Sequence, residues 1–96
     1  FPSRALEERI VQSRVPEVAA ALRQQLVAFV HSLRELDLRK TPAISETIDW
    51  ARSLVLLHVD ELGEDVARST LNILLKFEQD IETAEASLPE LLRAGA

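Results

Sequence analysis

Few side chains in this sequence are suited to chemistry. Two histidines, His31 and His58, one tryptophan, Trp50, and the acidic runs Glu64-Asp65 and Glu78–Glu82 are the places where acid–base work, metal binding or ring stacking could arise. Spacing argues against each. Helices that pair to hold a metal carry Glu-x-x-His, whereas the residues three before His31 and His58 are Ala28 and Val55. A His-Glu-x-x-His metalloprotease motif, a G-x-x-x-x-G-K-[ST] phosphate loop and a nucleophile elbow are all absent. Both histidines therefore read as packing or surface residues, the acidic runs as solvated faces and Trp50 as a packing anchor. On these criteria the chain has no active site of its own.

Composition bounds what remains. The 96 residues suit a single domain with one modest core, too little for a complete nucleotide-driven enzyme. Eleven basic against sixteen acidic side chains give a net charge of −5, which excludes nucleic acid as a direct partner because phosphate binding wants clustered positive charge. Without cysteine there are no disulfides or thiolate zinc sites, in keeping with a cytoplasmic setting. No apolar run approaches the roughly 20 residues that span a bilayer, so no membrane is expected. A hydrophobic content of 47% excludes disorder, and an aromatic content of 4% leaves the core to Leu, Val, Ile and Ala. Two glycines and four prolines leave few sharp turns, which favours helices.

Periodicity then places the elements. Ser3 reads as the N-cap of a first helix running to about Ser13, with Leu6, Ile10 and Val11 as its stripe and Glu7, Glu8, Arg9 and Gln12 around them. Pro16 suits the first turn of a second helix. Val15, Val18, Leu22, Leu26, Phe29, Leu33 and Leu36 recur at helical spacing within it, until Pro42 forces an end near residues 37–40. Ser45 reads as the cap of a third helix with Glu46 and Asp49 in its first turn. The run Leu54-Val55-Leu56-Leu57 makes this helix the expected central one. After Gly63 a fourth helix carries Val66, Thr70, Ile73, Phe77 and Ile81 on one stripe, and the tail from Ala84 is a short closing helix or a frayed end. The expected fold is all-α, a small four-helix bundle with a short C-terminal helix or tail. Its expected core is Leu6, Ile10, Leu22, Leu26, Phe29, Ile48, Ala51, Val55, Ile73 and Phe77.

An ordered set of segments adds a resemblance. Phe1-Pro2-Ser3, Glu7 with Ile10-Val11, and Arg14-Val15-Pro16-Glu17 come first. Leu36-Asp37-Leu38-Arg39-Lys40-Thr41-Pro42 and Ser45-Glu46-Thr47-Ile48-Asp49-Trp50-Ala51-Arg52 follow. Asp60-Glu61-Leu62, Thr70-Leu71 and Leu74-Leu75-Lys76-Phe77-Glu78-Gln79-Asp80-Ile81 complete it. Together they resemble the C-terminal lid of MoxR-type AAA+ ATPases, in the branch that includes CoxD-like proteins associated with carbon monoxide dehydrogenase maturation. The resemblance covers Phe1 to Ile81 in the family's order, and makes residues 1–96 a single helical domain, the excised lid of a longer chain whose ATP-binding core precedes Phe1.

The resemblance implies a role in closing over nucleotide and converting ATP hydrolysis into rigid-body movement. It implies ATP and magnesium in the parent, a homo-hexameric parent, and as partners the AAA+ core of the same or a neighbouring subunit and a von Willebrand factor A domain protein. By alignment on the helix start, the place of a second-sensor arginine falls at Ile44-Ser45-Glu46, with Glu46 where arginine is usual. A carboxylate is repelled by phosphate, so Arg39, Lys40 or Arg52 is expected to supply the charge, or sensing is lost from this helix. An acid in the first turn also stabilises the helix itself. Ile10 and Val11 are the candidates for the adenine edge, and Ser45 and Glu46 for the phosphate side. Read without the resemblance, the same chain is a free-standing helical interaction module that docks a partner helix on an apolar groove.

Overall fold

The computed structural model describes residues 1–95, and among them there are six α-helices and no strand. They are α1 (Arg4–Arg14), α2 (Ala20–Leu33), α3 (Ile44–Leu56), α4 (Glu64–Leu74), α5 (Glu78–Ala86) and α6 (Leu88–Arg93). The all-α class is as expected, while the expected four helices and tail are in fact six helices.

Ser3 caps α1 as its position demands, its hydroxyl accepting a hydrogen bond from the Leu6 N–H at 3.2 Å. The other boundaries move for local reasons. Pro16 does not open α2. Residues 15–18 close a turn in which the Val18 N–H donates to the Val15 carbonyl at 3.2 Å, so that both valines are buried, and α2 starts at Ala20. At its far end α2 stops at Leu33, and the Glu35 and Leu36 N–H groups donate three residues back, to Ser32 and Leu33, tightening the exit into a 3₁₀-like turn. The expected fourth helix is interrupted at Leu75, whose extended backbone (φ −120°, ψ 136°) buries its side chain, and α5 restarts after Phe77. The tail forms a closing helix, α6, with Leu88 and Leu91 buried.

The central helix is α2, not α3. Seven of its residues, Leu22, Leu26, Val27, Ala28, Phe29, Val30 and Leu33, are buried, and it packs against α1, α3 and α6. The C-terminal segment lies close on it: a Cβ on Gly95 would come within 2.9 Å of the Gln25 Cα. α3 crosses α2 through Trp50, which is buried, stands 5.1 Å centroid to centroid from Phe29, and donates its indole N–H to the Thr70 hydroxyl of α4 at 2.8 Å. The packing role expected of Trp50 is thus fulfilled with its one polar atom satisfied. Of the expected core, Leu22, Leu26, Phe29, Ile48 and Ala51 are buried, and Ile10, Val55, Ile73 and Phe77 are half-buried. Leu6 is exposed, because α1 turns Glu7 and Val11 inward instead.

Candidate functional site

The most concentrated polar chemistry lies where α1, the end of α2 and the start of α3 meet. Glu7 is fully buried. Arg34, just past α2, grips its carboxylate side-on, with Nη1 2.6 Å from Oε1 and Nη2 2.9 Å from Oε2. His31 Nε2 stands 2.7 Å from Oε1. A carboxylate only accepts, so His31 Nε2 is the donor of this bond. Arg34 also donates from Nε to the Pro42 carbonyl at 2.9 Å and from Nη2 to the Thr47 hydroxyl at 3.4 Å. The Phe1 ring covers its outer face, 4.3 Å from Cζ to the ring centroid. Burial alone would push the Glu7 carboxyl up; hydrogen bonds from Arg34 and Thr47, the Arg34 charge and the His31 bond outweigh it and hold the carboxyl below the usual carboxylate range.

A second buried carboxylate, Asp80 of α5, is satisfied differently. It accepts the backbone N–H groups of Arg39 at 2.9 Å and Lys40 at 3.1 Å, while the Arg39 guanidinium stacks 4.3 Å from the Phe77 ring centre. The second half of the loop between α2 and α3 is therefore fixed at two points, by Arg34 at Pro42 and by Asp80 at Arg39 and Lys40.

This framework holds the first turn of α3. Ala43, not Ser45, occupies the N-cap position, and Ser45 and Glu46 are the second and third residues of the helix. Glu46 Oε1 accepts the Ala43 N–H at 2.9 Å and Oε2 accepts the Ser45 hydroxyl at 2.6 Å. Glu46 thus performs the carboxylate half of a capping box. Its carboxyl is held below the usual range chiefly by the Ser45 hydroxyl, then by the Ala43 N–H, and more weakly by the nearby positive charges of Lys76 and Lys40, against a modest opposing effect of burial.

The four sequence candidates thus fall on two packed helices. Glu7, one turn before Ile10 and Val11, is tied through Arg34 to Thr47, the residue after Glu46. Ser45 is exposed, Glu46 and Ile10 are partly exposed, and Val11 is fully enclosed in the core. Of the basic residues expected near the α3 start, Lys40 is there. Arg52 lies six residues further along α3, roughly 9 Å of helix away, beside a different hollow. Sequence reading gave no site role to Glu7, Arg34, Thr47, Asp80 and Lys76. Glu7 had a visible signal, an acid four residues before Val11 on the same face. Asp80 lay in a run taken for a solvated face and is a correction to it. The Glu64-Asp65 run does form a solvated face, with Arg68 2.7 Å from Glu64.

At the other end of α3 the surface is apolar. Leu56 and Leu57 are 78% and 56% exposed. Two adjoining hollows of about 340 and 220 Å³ share Glu17 and Val55 as a common wall. His58, at φ 57°, closes the helix in the left-handed conformation, with its N–H donating to Val55 and that of Val59 to Leu54, both at 3.0 Å.

Among the described residues no group of three His or carboxylate side chains is placed to hold a metal ion, and no helix is long and apolar enough to cross a membrane. Comparison with protein-family models, curated proteins and solved structures finds no significant match to this chain.

Proposed function

We propose that this chain is the helical lid of a MoxR-type AAA+ ATPase of the CoxD-like branch, acting in the cytoplasm in chaperone-type remodelling or metalloenzyme maturation. One observation carries the reading. Six residues of the segments that carry the resemblance join Arg34, which lies outside them, in the framework around the α3 start: Glu7 on α1, Arg39, Lys40 and Pro42 in the loop, Thr47 on α3 and Asp80 on α5. This overlap supports reading those segments as the ones that hold the first turn of α3 in place.

In this reading the α3 start faces nucleotide bound by the AAA+ core. The chain's own residues suit a partial share of such a ligand. Lys40 and Lys76 supply positive charge beside the helix N-terminus, where the dipole also favours an anion. Ile10 offers a partly exposed apolar edge for adenine; Val11, being enclosed, supports Ile10 from behind. Glu46 caps its helix with both oxygens engaged, so the lysines take over the charge that an arginine supplies in the family. Magnesium would be carried by the phosphates and the core. The lid's partners are then the core of its own or a neighbouring subunit in a homo-hexamer and, by the family's habit, a von Willebrand factor A domain protein.

The test is made in the parent chain. Replacing Lys40 and Lys76 together by alanine should weaken ATP binding about tenfold, the scale of one lost charge-assisted contact, and Glu46→Arg should alter ATP affinity or turnover. Unchanged binding and turnover in both variants would remove the nucleotide from this end of α3. ATP hydrolysis by the 96-residue chain alone at an ordinary enzymatic rate would overturn the lid reading.

A further inference from the structure

Among the described residues one buried side-chain nitrogen has no hydrogen-bond partner, Nε of Arg23 on α2. A buried N–H of a charged group without an acceptor costs free energy, and native side chains seldom carry one. Arg23 closes one side of a hollow of about 420 Å³ whose other wall is α1, through Ala5, Glu8, Arg9 and Gln12. These four recur at spacings of three and four, so they share one face of the helix. Arg9 and Glu8 are as unengaged as Arg23: among the described residues none of the three takes part in an ion pair. Two guanidinium groups from two helices thus border one hollow without a counter-charge, in a chain that carries an excess of acids.

We propose that this hollow binds a small phosphate monoester that carries a hydroxyl group. The Nε–H of an arginine lies on the edge that, with the adjacent Nη–H, takes two oxygens of one anion side-on. A carboxylate has only those two oxygens. A phosphate has a third, left for Arg9 and the Gln12 amide on the α1 wall, and its charge of about −2 at neutral pH balances the two guanidinium groups. Glu8 determines the rest of the ligand. Its carboxylate repels a bare anion and only accepts hydrogen bonds, so the ligand must present a donor there, which a hydroxyl on the ester arm supplies. Arg9 is exposed and Arg23 and Glu8 are half-buried, which leaves the hollow open to a small soluble molecule. Glu8 and Gln12 each stand two residues from Ile10, about 200° of rotation around α1. The site is therefore on the far side of that helix from the edge assigned to adenine, and the inference does not rest on the lid reading.

A nitrogen-15 NMR titration of the 96-residue chain with glucose 6-phosphate tests it, followed at the Arg23 Nε–H resonance. The expected result is a saturable shift of that resonance and of the amides from Glu8 to Gln12, with a Kd of about 1 mM or tighter. Inorganic phosphate should bind several-fold more weakly, and glucose should leave the resonance unmoved. Arg23→Lys keeps the charge but loses the side-on fork, and should weaken the ester about tenfold or more; its binding is followed at the α1 amides. Arg9→Gln, at an exposed position that folding does not need, should weaken it on a similar scale. Glu8→Gln should tighten inorganic phosphate and reduce the advantage of the ester, a reversal that a merely structural role of Glu8 would not produce. The inference is overturned if the Arg23 resonance shows no saturable shift up to about 20 mM ester, if the ester binds no better than inorganic phosphate, or if Arg9→Gln and Arg23→Lys bind as the original does.

Discussion

The two ends of α3 obey opposite rules. At its start the buried and capping charges are spoken for: Glu46 by Ala43 and Ser45, Arg34 by Glu7, Pro42 and Thr47, and Asp80 by two backbone N–H groups. At its finish two leucines face solvent, and the helix is closed by a histidine in a conformation that suits glycine. The first end is positioned by polar groups that fold the chain, and substitutions there should cost stability. The second lacks such polar ties, so substitutions of its exposed residues should change stability less.

The largest effect is expected at Glu7 and Arg34. Arg34→Ala leaves a wholly buried carboxylate without its main counter-charge, a change that typically costs about 3–5 kcal/mol. In a domain of this size that should lower Tm by more than about 10 °C. The double substitution Glu7→Leu with Arg34→Met should cost less than Arg34→Ala, because it removes both charges together. If chemical denaturation shows the single and double variants equally damaged, the pair acts through packing and not through charge.

The same pair fixes the acid response. The Glu7 carboxyl lies below its unfolded value of roughly 4.3 when the chain is folded. The stability it contributes is therefore fully present above that unfolded value and is lost as pH falls through the lower folded one. Glu7→Gln should flatten the loss of Tm below about pH 4. A variant whose acid profile parallels the original would assign the acid sensitivity to other carboxylates.

Asp80 comes next. Asp80→Ala orphans two backbone donors in the loop that leads to α3, at a cost of about 1–3 kcal/mol. Hydrogen exchange at the Arg39 and Lys40 amides should accelerate well before global unfolding. Exchange that stays slow would mean that the Phe77–Arg39 stacking, and not the carboxylate, holds the loop.

How far the sequence disclosed this contrast depends on range. Composition, residue type and periodicity were local and legible: the all-α class, the Ser3 cap, the core of α2 and the anchoring role of Trp50 could be read from them. Helix ends governed by distant partners were not. The exit from α2 at Leu33 is coupled to an Arg34 side chain that reaches back to Glu7, 27 residues away, and the break before α5 accompanies an Asp80 whose partners lie about 40 residues upstream. Glu7 and Asp80 look like surface acids because their burial is affordable only with donors that periodicity does not display. Ser45 was a reasonable cap by type, yet the turn starts two residues earlier, where Glu46 can reach back to Ala43. The apolar finish of α3 was read as the heart of the core, but the helix ends at Leu56 and leaves two leucines outside.

The smallest expected effect has the opposite sign. His58 holds φ 57° so that the Val55 and Leu54 carbonyls are met by the next two N–H groups. A residue with a Cβ pays about 1 kcal/mol or more for that conformation, whereas glycine adopts it freely but loses more chain entropy on folding. The balance favours His58→Gly by about 0.5–1 kcal/mol, a rise in Tm of a few degrees. His58→Ala keeps the strain and should change Tm little. A fall in Tm on His58→Gly would mean that the imidazole makes a stabilising contact at the wall of the hollow it lines, and this end of α3 would then be under a constraint like the one at its start.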